Sequence, residues 1–190
     1  ANLALKTTRT GQWLDALQQR LRPSREAAQG WGGMSMFLSQ QVGRDDPHLD
    51  DVRRRFQQNL NAIVAAGTGA GARVLVSTVA SRLRDWPPFG SLHRPDLADA
   101  DRLQWEAAFA AGAAAEDARD FPAALQHYQS AARIDDTFAA LHFRWGTCAL
   151  ALGQTAEARV HLTLARDLDT LRFRTDTRLN EAIRQTARNL

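Results

Sequence analysis

Residues 112–135, GAAAEDARDFPAALQHYQSAARID, are matched 34 positions later by residues 146–169, GTCALALGQTAEARVHLTLARDLD. The two stretches align without a gap. The matched pairs are Gly112 and Gly146, Ala124 and Ala158, Tyr128 and Leu162, Ala131 and Ala165, Ile134 and Leu168, and Asp135 and Asp169. Small residues at helical spacing let two antiparallel helices approach closely. The period therefore predicts two helix-turn-helix repeats.

These matched positions resemble the tetratricopeptide repeat, a helix pair that stacks into a superhelix and serves protein interaction. The usual proline at the repeat end is replaced here by Asp136 and Thr170. Two repeats are fewer than the roughly three that a free-standing stack needs, so neighbouring segments must cap them. Residues 171–190 are predicted to form a C-terminal capping helix, on the spacing of Leu179, Ile183 and Ala187.

The inner helices of the repeats lack the Lys and Asn residues that would bind the carboxylate end of a peptide. Repeats of this type that grip a peptide carboxylate do so with Lys and Asn, whereas the corresponding positions here are Phe109, Ala113, Phe143 and Thr147. We therefore do not expect that activity. Five aromatic residues are predicted to form much of the core of this half: Trp105, Phe109, Phe138, Phe143 and Trp145.

The charge distribution divides the chain into two parts. Residues 1–94 carry 13 basic and 7 acidic groups, and residues 95–190 carry 11 and 14, for a net charge of +3 over 190 residues. This small excess and the acidic second half argue against nucleic acid as a partner. No window approaches the roughly 18 apolar residues of a membrane span. The single cysteine, Cys148, permits no intrachain disulfide, and the absence of a signal-peptide pattern predicts a cytoplasmic protein.

The first half is predicted to be helical and to end in one strand. A stripe of Leu14, Leu17 and Leu21 indicates one helix. A second helix is expected over residues 49–66, with Val52, Phe56, Leu60, Ile63 and Val64 on its buried face and Arg53, Arg54 and Arg55 on its solvated face. The β-branched run of residues 74–79 is typical of a buried parallel strand, although no partner strand follows.

The predicted organisation is mainly α. Residues 1–95 form a helical segment that ends in a strand at about 73–79 and a proline-rich loop, as part of an α/β unit. Residues 96–170 form two tetratricopeptide-like repeats, and residues 171–190 form the cap. Because one unpaired strand needs a partner, the missing strands lie outside this chain or in a second copy, which favours a homodimer.

Several blocks together look like bacterial SGNH-type (GDSL-like) hydrolases with embedded tetratricopeptide repeats. They are residues 36–38, Phe56 with Asn59 and Leu60, residues 80–95, the two repeats, residues 165–169 and 171–174, Leu179 with Asn180, and Ile183 with Arg184. The resemblance implies an ester-hydrolysing α/β/α domain with a nucleophilic Ser, Gly and Asn oxyanion donors and a C-terminal Asp-x-x-His. None of those catalytic blocks is present here, and Arg82 stands where the family's loop usually has Asn.

The loop of residues 84–94 is the candidate binding site. It has a stiff Pro-Pro step, and it follows the predicted strand, where open α/β sheets place their ligands. Its candidate residues are Arg84, Asp85, Trp86, Phe89, His93 and Arg94. The competing interpretation is a linker whose aromatic residues fasten the repeats to the sheet.

No catalytic residue, metal site or cofactor is predicted. Asp45 and His48 fit Asp-x-x-His, but they precede the predicted strand instead of ending a domain. Cys148, on a helix packed by small residues, is expected to be an inert core thiol. His127 and His161 are one repeat apart and are expected on the repeat surface as separate positions. Neither histidine is expected to bind a metal.

Two functions follow from these predictions. The first is a protein-interaction or scaffold segment of an SGNH-hydrolase-like protein, bound to a protein or peptide partner or to the rest of its own parent chain. The alternative is the substrate entrance of an esterase or acyl-transfer enzyme whose Ser and Asp-x-x-His blocks lie outside this chain.

Overall fold

The computed structural model describes Phe37 and residues 40–189. Six helices are found there: α1 His48–Gly69, α2 Asp99–Asp117, α3 Phe121–Ile134, α4 Ala139–Ala151, α5 Thr155–Asp167 and α6 Thr177–Arg188. The mainly helical class is confirmed, and so is the helix expected over residues 49–66. The predicted stripe of Leu14, Leu17 and Leu21 lies outside the described residues.

Helices α2 and α3 form one closely packed pair, and α4 and α5 form a second. Each pair reverses through a short connection whose key residue has a positive φ, Arg119 at 61° and Gly153 at 75°. Asp120 then caps α3 by accepting a hydrogen bond from the Ala123 amide at 3.1 Å. The 34-residue period is therefore repeated in the turns as well as in the helices.

The matched glycines are the points of closest approach within each pair. A Cβ on Gly112 would lie 2.5 Å from the Tyr128 ring, and a Cβ on Gly146 would lie 2.6 Å from Cγ of Leu162. Tyr128 and Leu162 are buried, so each side chain fills the space that its glycine leaves. The predicted packing through small residues is confirmed at both positions.

The core lies between the two pairs. Trp105 is buried and donates a hydrogen bond from Nε1 to the Asp135 carbonyl at 2.9 Å. Phe109, Phe138 and Trp145 pack against this cluster while remaining partly accessible, and Phe143 is half-buried. The predicted aromatic core is thus centred on Trp105, with the other rings around its edge.

Helix α6 packs against α1. The α1 face that is turned from solvent consists of Arg53, Phe56, Gln57, Leu60 and Val64, at positions one helical turn apart. The predicted face is wrong at two positions, because Val52 and Ile63 are 55% and 69% exposed.

Arg53 also departs from the predicted solvated face. Its side chain is 18% exposed and contacts the carboxylates of Asp50 at 2.9 Å and Asp176 at 3.4 Å. Asp176 caps α6 by accepting a hydrogen bond from the Leu179 amide. Arg53 therefore links the start of α1 to the start of α6, whereas Arg54 and Arg55 are exposed as expected.

The predicted buried strand is wrong. Residues 73–80 have no strand assignment, and no strand is found anywhere in the described part of the chain. Leu75, at the centre of the run, is 94% exposed. The physical reason is that a strand needs a neighbour to pair with, and none of the described segments supplies one.

Candidate functional site

Residues 79–94, here called the strap, run without regular secondary structure across the helices. Side chains of the helical part hold the strap by its backbone. Asn180 accepts from the Val79 amide at 2.9 Å and donates to the Val79 carbonyl at 3.1 Å. Arg174 donates to the Trp86 carbonyl at 2.9 Å. Because these bonds involve the main chain of the strap, they fix its path irrespective of its side chains.

Two buried aspartates, one from each repeat, hold the second part of the strap. Asp169 accepts from the amides of Phe89 and Gly90, each at 3.1 Å. Asp135 accepts from His93 Nδ1 at 2.7 Å and from the Arg94 amide at 3.4 Å. The two aspartates are 34 residues apart in the sequence, so the same repeat position binds the strap twice.

The two carboxylates also share a local geometry. Asp135 Oδ1 accepts from the Thr137 amide at 2.9 Å, and Asp169 Oδ1 accepts from the Leu171 amide at 3.1 Å. Each is a turn in which an aspartate bonds the amide two residues later. This turn holds each carboxylate at the end of its helix pair, where it meets the strap.

Gly90 lies at the tightest point of the strap. A Cβ there would clash with the Thr170 hydroxyl and would lie 2.9 Å from Oε1 of Gln41. The Gly90 carbonyl accepts from the Thr170 amide at 3.2 Å. Only glycine allows the backbone to come this close to the end of the second repeat.

His93 is held rigidly. Its ring stacks on Phe138 with centroids 4.6 Å apart and meets Trp105 edge to face at 4.5 Å. Burial opposes ionisation of Asp135, but hydrogen bonds from Thr137, His93 and Arg94 hold the pKa of this carboxyl below its ordinary value. Because Asp135 is ionised, His93 Nδ1 carries the proton of their hydrogen bond.

A cavity of about 300 Å³ opens beside this histidine. His93 and Arg94 line it together with the turn around Arg44 and with Leu168 at the end of the second repeat. Of the six predicted site residues, these two alone line the cavity. Arg84, Asp85 and Trp86 are exposed, with the Arg84 guanidinium 3.8 Å from the Asp85 carboxylate.

Phe89 belongs to a separate aromatic contact. Its ring meets Phe173 edge to face at 5.7 Å, and Arg174 lies over it at 5.7 Å from the ring centroid. This contact fastens the strap to the segment that precedes α6. The structure therefore brings His93 and Arg94 together at the cavity and places Phe89 in a packing role.

A histidine pair, of which His142 is buried and His161 is partly buried, was missed by sequence reasoning. His142 Nδ1 lies 2.9 Å from His161 Nδ1, and His142 Nε2 lies 2.6 Å from the Asp136 carbonyl. The His161 ring also stacks on Trp145 with centroids 4.0 Å apart. Burial lowers the pKa of His142, and burial together with the neighbouring His142 lowers the pKa of His161 to about 4. His161 therefore packs between two helices, unlike His127, which is exposed as predicted.

Cys148 is buried as predicted. Burial raises the pKa of its thiol to about 12, which leaves it protonated near neutral pH. The Asp-x-x-His candidate has a different pairing, since exposed His48 bonds Asp46 at 2.8 Å. Among the described residues, no group of three or more His, Cys, Asp or Glu side chains is arranged to hold a metal ion.

Comparison with family models, with curated proteins and with solved structures finds no match to this chain. No helix within residues 40–189 has the length and apolar character needed to cross a membrane.

Proposed function

We propose that this chain is a helical-repeat scaffold that binds an extended polypeptide segment by its backbone, within an SGNH-hydrolase-like protein. The observation that carries the proposal is the use of Asp135 and Asp169, one repeat apart, to accept backbone amides of the strap. In this chain the bound segment is its own strap, so the partner is the rest of the parent chain or a protein that presents a similar segment.

A peptide-binding experiment in trans tests this function. In the full chain, Gly90→Val prevents the strap from seating, because the added side chain meets Thr170. A synthetic peptide of residues 79–94 should then bind this variant, and it should not bind the wild-type chain, whose site is filled. A scrambled peptide should bind neither. Rapid hydrogen exchange at the backbone amides of positions 89 and 90 in this variant verifies that the strap is released.

Gly43→Val is the matched control. It makes the same change in a connection where an added Cβ meets nothing within 4 Å, so the strap should stay in place and the peptide should not bind. The proposal fails if Gly90→Val keeps native helix content by circular dichroism, releases the strap, and still does not bind the peptide.

A second candidate is the substrate entrance of an ester-hydrolysing or acyl-transferring parent enzyme. The observation that favours it is the cavity beside His93 and Arg94. This candidate predicts that substitutions at the cavity change KM of the full-length parent protein more than kcat. An Arg94→Gln variant of the full-length parent with an unchanged KM would contradict it.

The homodimer remains a prediction. It was based on the unpaired edge of a strand, and residues 73–79 are extended without pairing in the described part of the chain. Light scattering of the wild-type chain tests it, and a monomer at high concentration would rule it out. The loss of dimer in Val76→Pro, which removes a backbone donor, would locate the interface on this segment.

A further inference from the structure

The His93 ring forms one fixed part of the cavity wall. Nδ1 is occupied by Asp135, and Nε2 has no hydrogen-bond partner among the described residues. The side chain of His93 is 21% exposed. The ring cannot turn away, because Phe138 and Trp105 pack against it.

Two guanidinium groups line the same cavity without a close carboxylate partner. Arg44 is exposed and forms no ion pair within the described part of the chain. The nearest carboxylate to Arg94 is that of Asp96, 3.7 Å away and 83% exposed, a distance at which an exposed pair contributes little. Both arginines are therefore free to bind an anion.

Two aspartates, Asp45 and Asp46, also line the cavity, and they differ in whether they already have a partner. Asp46 is already engaged, because its Oδ1 accepts from both the amide and the ring of His48 at 2.8 Å. Asp45 is exposed and has no ion-pair partner within the described residues. The anion is thus expected to bind on the side of Arg94 and His93, which the strap supplies.

Part of the remaining wall is apolar, and Thr137 and Thr170 also line the cavity. Leu92, Pro95 and Leu168 line the cavity next to His93 and Arg94. A volume of about 300 Å³ is at the lower end of the range for small-ligand sites. A ligand that pairs with the arginines and also packs against the apolar residues has one acidic group and a short apolar chain.

We propose that this cavity binds a short-chain monocarboxylate, with its carboxylate held by the guanidinium groups of Arg94 and Arg44 and its chain against Leu92 and Leu168. This inference names a class of ligand for the cavity that the second candidate function uses. It rests on that candidate function only in placing the ligand in this cavity. It is tested by binding to the isolated chain, so it can fail while the scaffold proposal stands, and the reverse is also true.

Titration of the full chain with sodium hexanoate, followed by calorimetry and by the NMR signals of the His93 ring, tests the proposal. We expect saturable binding with a Kd of about 1 mM or tighter, which corresponds to a binding free energy of about −4 kcal/mol or stronger. Arg94→Gln and Arg44→Gln should each weaken binding by about tenfold. Both side chains are exposed, so the thermal midpoint should not change.

Arg55→Gln is the matched control, because Arg55 is an exposed arginine of α1 that does not line the cavity. Its affinity for hexanoate should equal that of the wild type. Hexylammonium, with the same chain and the opposite charge, should not bind. The proposal is overturned if hexanoate does not bind, if hexylammonium binds equally well, or if Arg94→Gln binds as the wild type does. Inorganic phosphate that binds as tightly as hexanoate would overturn the role of the apolar wall.

Discussion

The two repeats end in the same aspartate, but they balance its charge in different ways. In the second repeat, Asp169 faces the guanidinium of Arg174 at 2.9 Å, and both side chains are almost fully buried. In the first repeat, Asp135 faces His93, whose ring lines the cavity. The same repeat position therefore forms a buried ion pair in the second repeat, and it positions a residue of the candidate site in the first.

Removing the two carboxylates should separate these roles most clearly. We expect Asp169→Ala to lower the free energy of unfolding by about 3–5 kcal/mol, because it leaves the buried Arg174 charge without its partner. Asp135→Ala should cost less, about 1–3 kcal/mol, because it removes hydrogen bonds from His93, Thr137 and the Arg94 amide but leaves no buried guanidinium without its partner. Urea denaturation measures both. Arg174→Met in the Asp169→Ala background should recover part of the loss, and an equal or larger cost for Asp135→Ala would contradict the comparison.

The glycines test whether the two helix pairs are packed equally tightly. Gly112→Ala should destabilise the chain by about 1–3 kcal/mol, because the added Cβ meets the Tyr128 ring. That ring is fixed by its hydroxyl, which donates to Glu116 at 2.6 Å. Gly146→Ala should have a similar effect against Leu162. Thermal unfolding provides the measurement, with Gly43→Ala as a control at a position where an added Cβ meets nothing. A higher thermal midpoint for Gly112→Ala would show that this helix pair has room for the added methyl group.

The pair of His142 and His161 gives the second repeat its own pH dependence. Burial lowers the pKa of His142, and it lowers the pKa of His161 from 6.5 to about 4. Between these values the unfolded chain binds protons that the folded chain does not, so stability should fall as the pH drops from about 6.5 to 4. The slope approaches about 1.4 kcal/mol per pH unit for each proton.

His161→Phe sharpens this test. Phenylalanine keeps the stacking on Trp145 but cannot titrate, so the decrease in stability below pH 6.5 should be shallower in this variant. Unfolding in urea at a series of pH values gives the slopes. If the slopes of variant and wild type are equal, the pair does not control the acid sensitivity. His127→Phe, at the exposed position one repeat earlier, should leave the slope unchanged.

The smallest expected difference lies in the turns within each pair. Arg119 adopts a positive φ of 61°, which costs an L-residue about 1–2 kcal/mol. Arg119→Gly should relieve this cost but lose about 0.5–1 kcal/mol of chain entropy, for a net gain of about 0.5 kcal/mol. The reverse change, Gly153→Arg, should destabilise the second repeat. Urea midpoints check both, and a destabilising Arg119→Gly would mean that the Arg119 side chain contributes more than the backbone.

The helix pairs could be predicted because their information is local. The spacing of Gly112, Tyr128 and their counterparts directly encodes which faces meet. The same alignment held a signal for the site, since Asp135 and Asp169 are the one charged match in an otherwise small or apolar set. A charge repeated at the end of each helix pair indicates a structural or binding role for its carboxylate.

Other features could not be read from the sequence because they depend on distant partners. The strap is held by bonds between its backbone and side chains that lie 41 to 101 positions away, and backbone groups leave no sequence pattern. The β-branched residues 74–79 were misassigned, because such residues form a strand only where a neighbouring strand pairs with them. The cavity likewise combines the turn around Arg44 with the end of the strap, which only the folded chain brings together.

The bond between Val79 and Asn180 also sets an order of events in folding. These two residues are 101 positions apart, whereas the helix pairs between them are built from contacts of much shorter range. Local contacts form quickly, and long loops close slowly and at an entropic cost. During synthesis the repeats are thus complete before Asn180 exists, and the start of the strap is fastened last. A helix made after the repeats thus secures a segment made before them, so the seated strap reports that the helix pairs between them have folded.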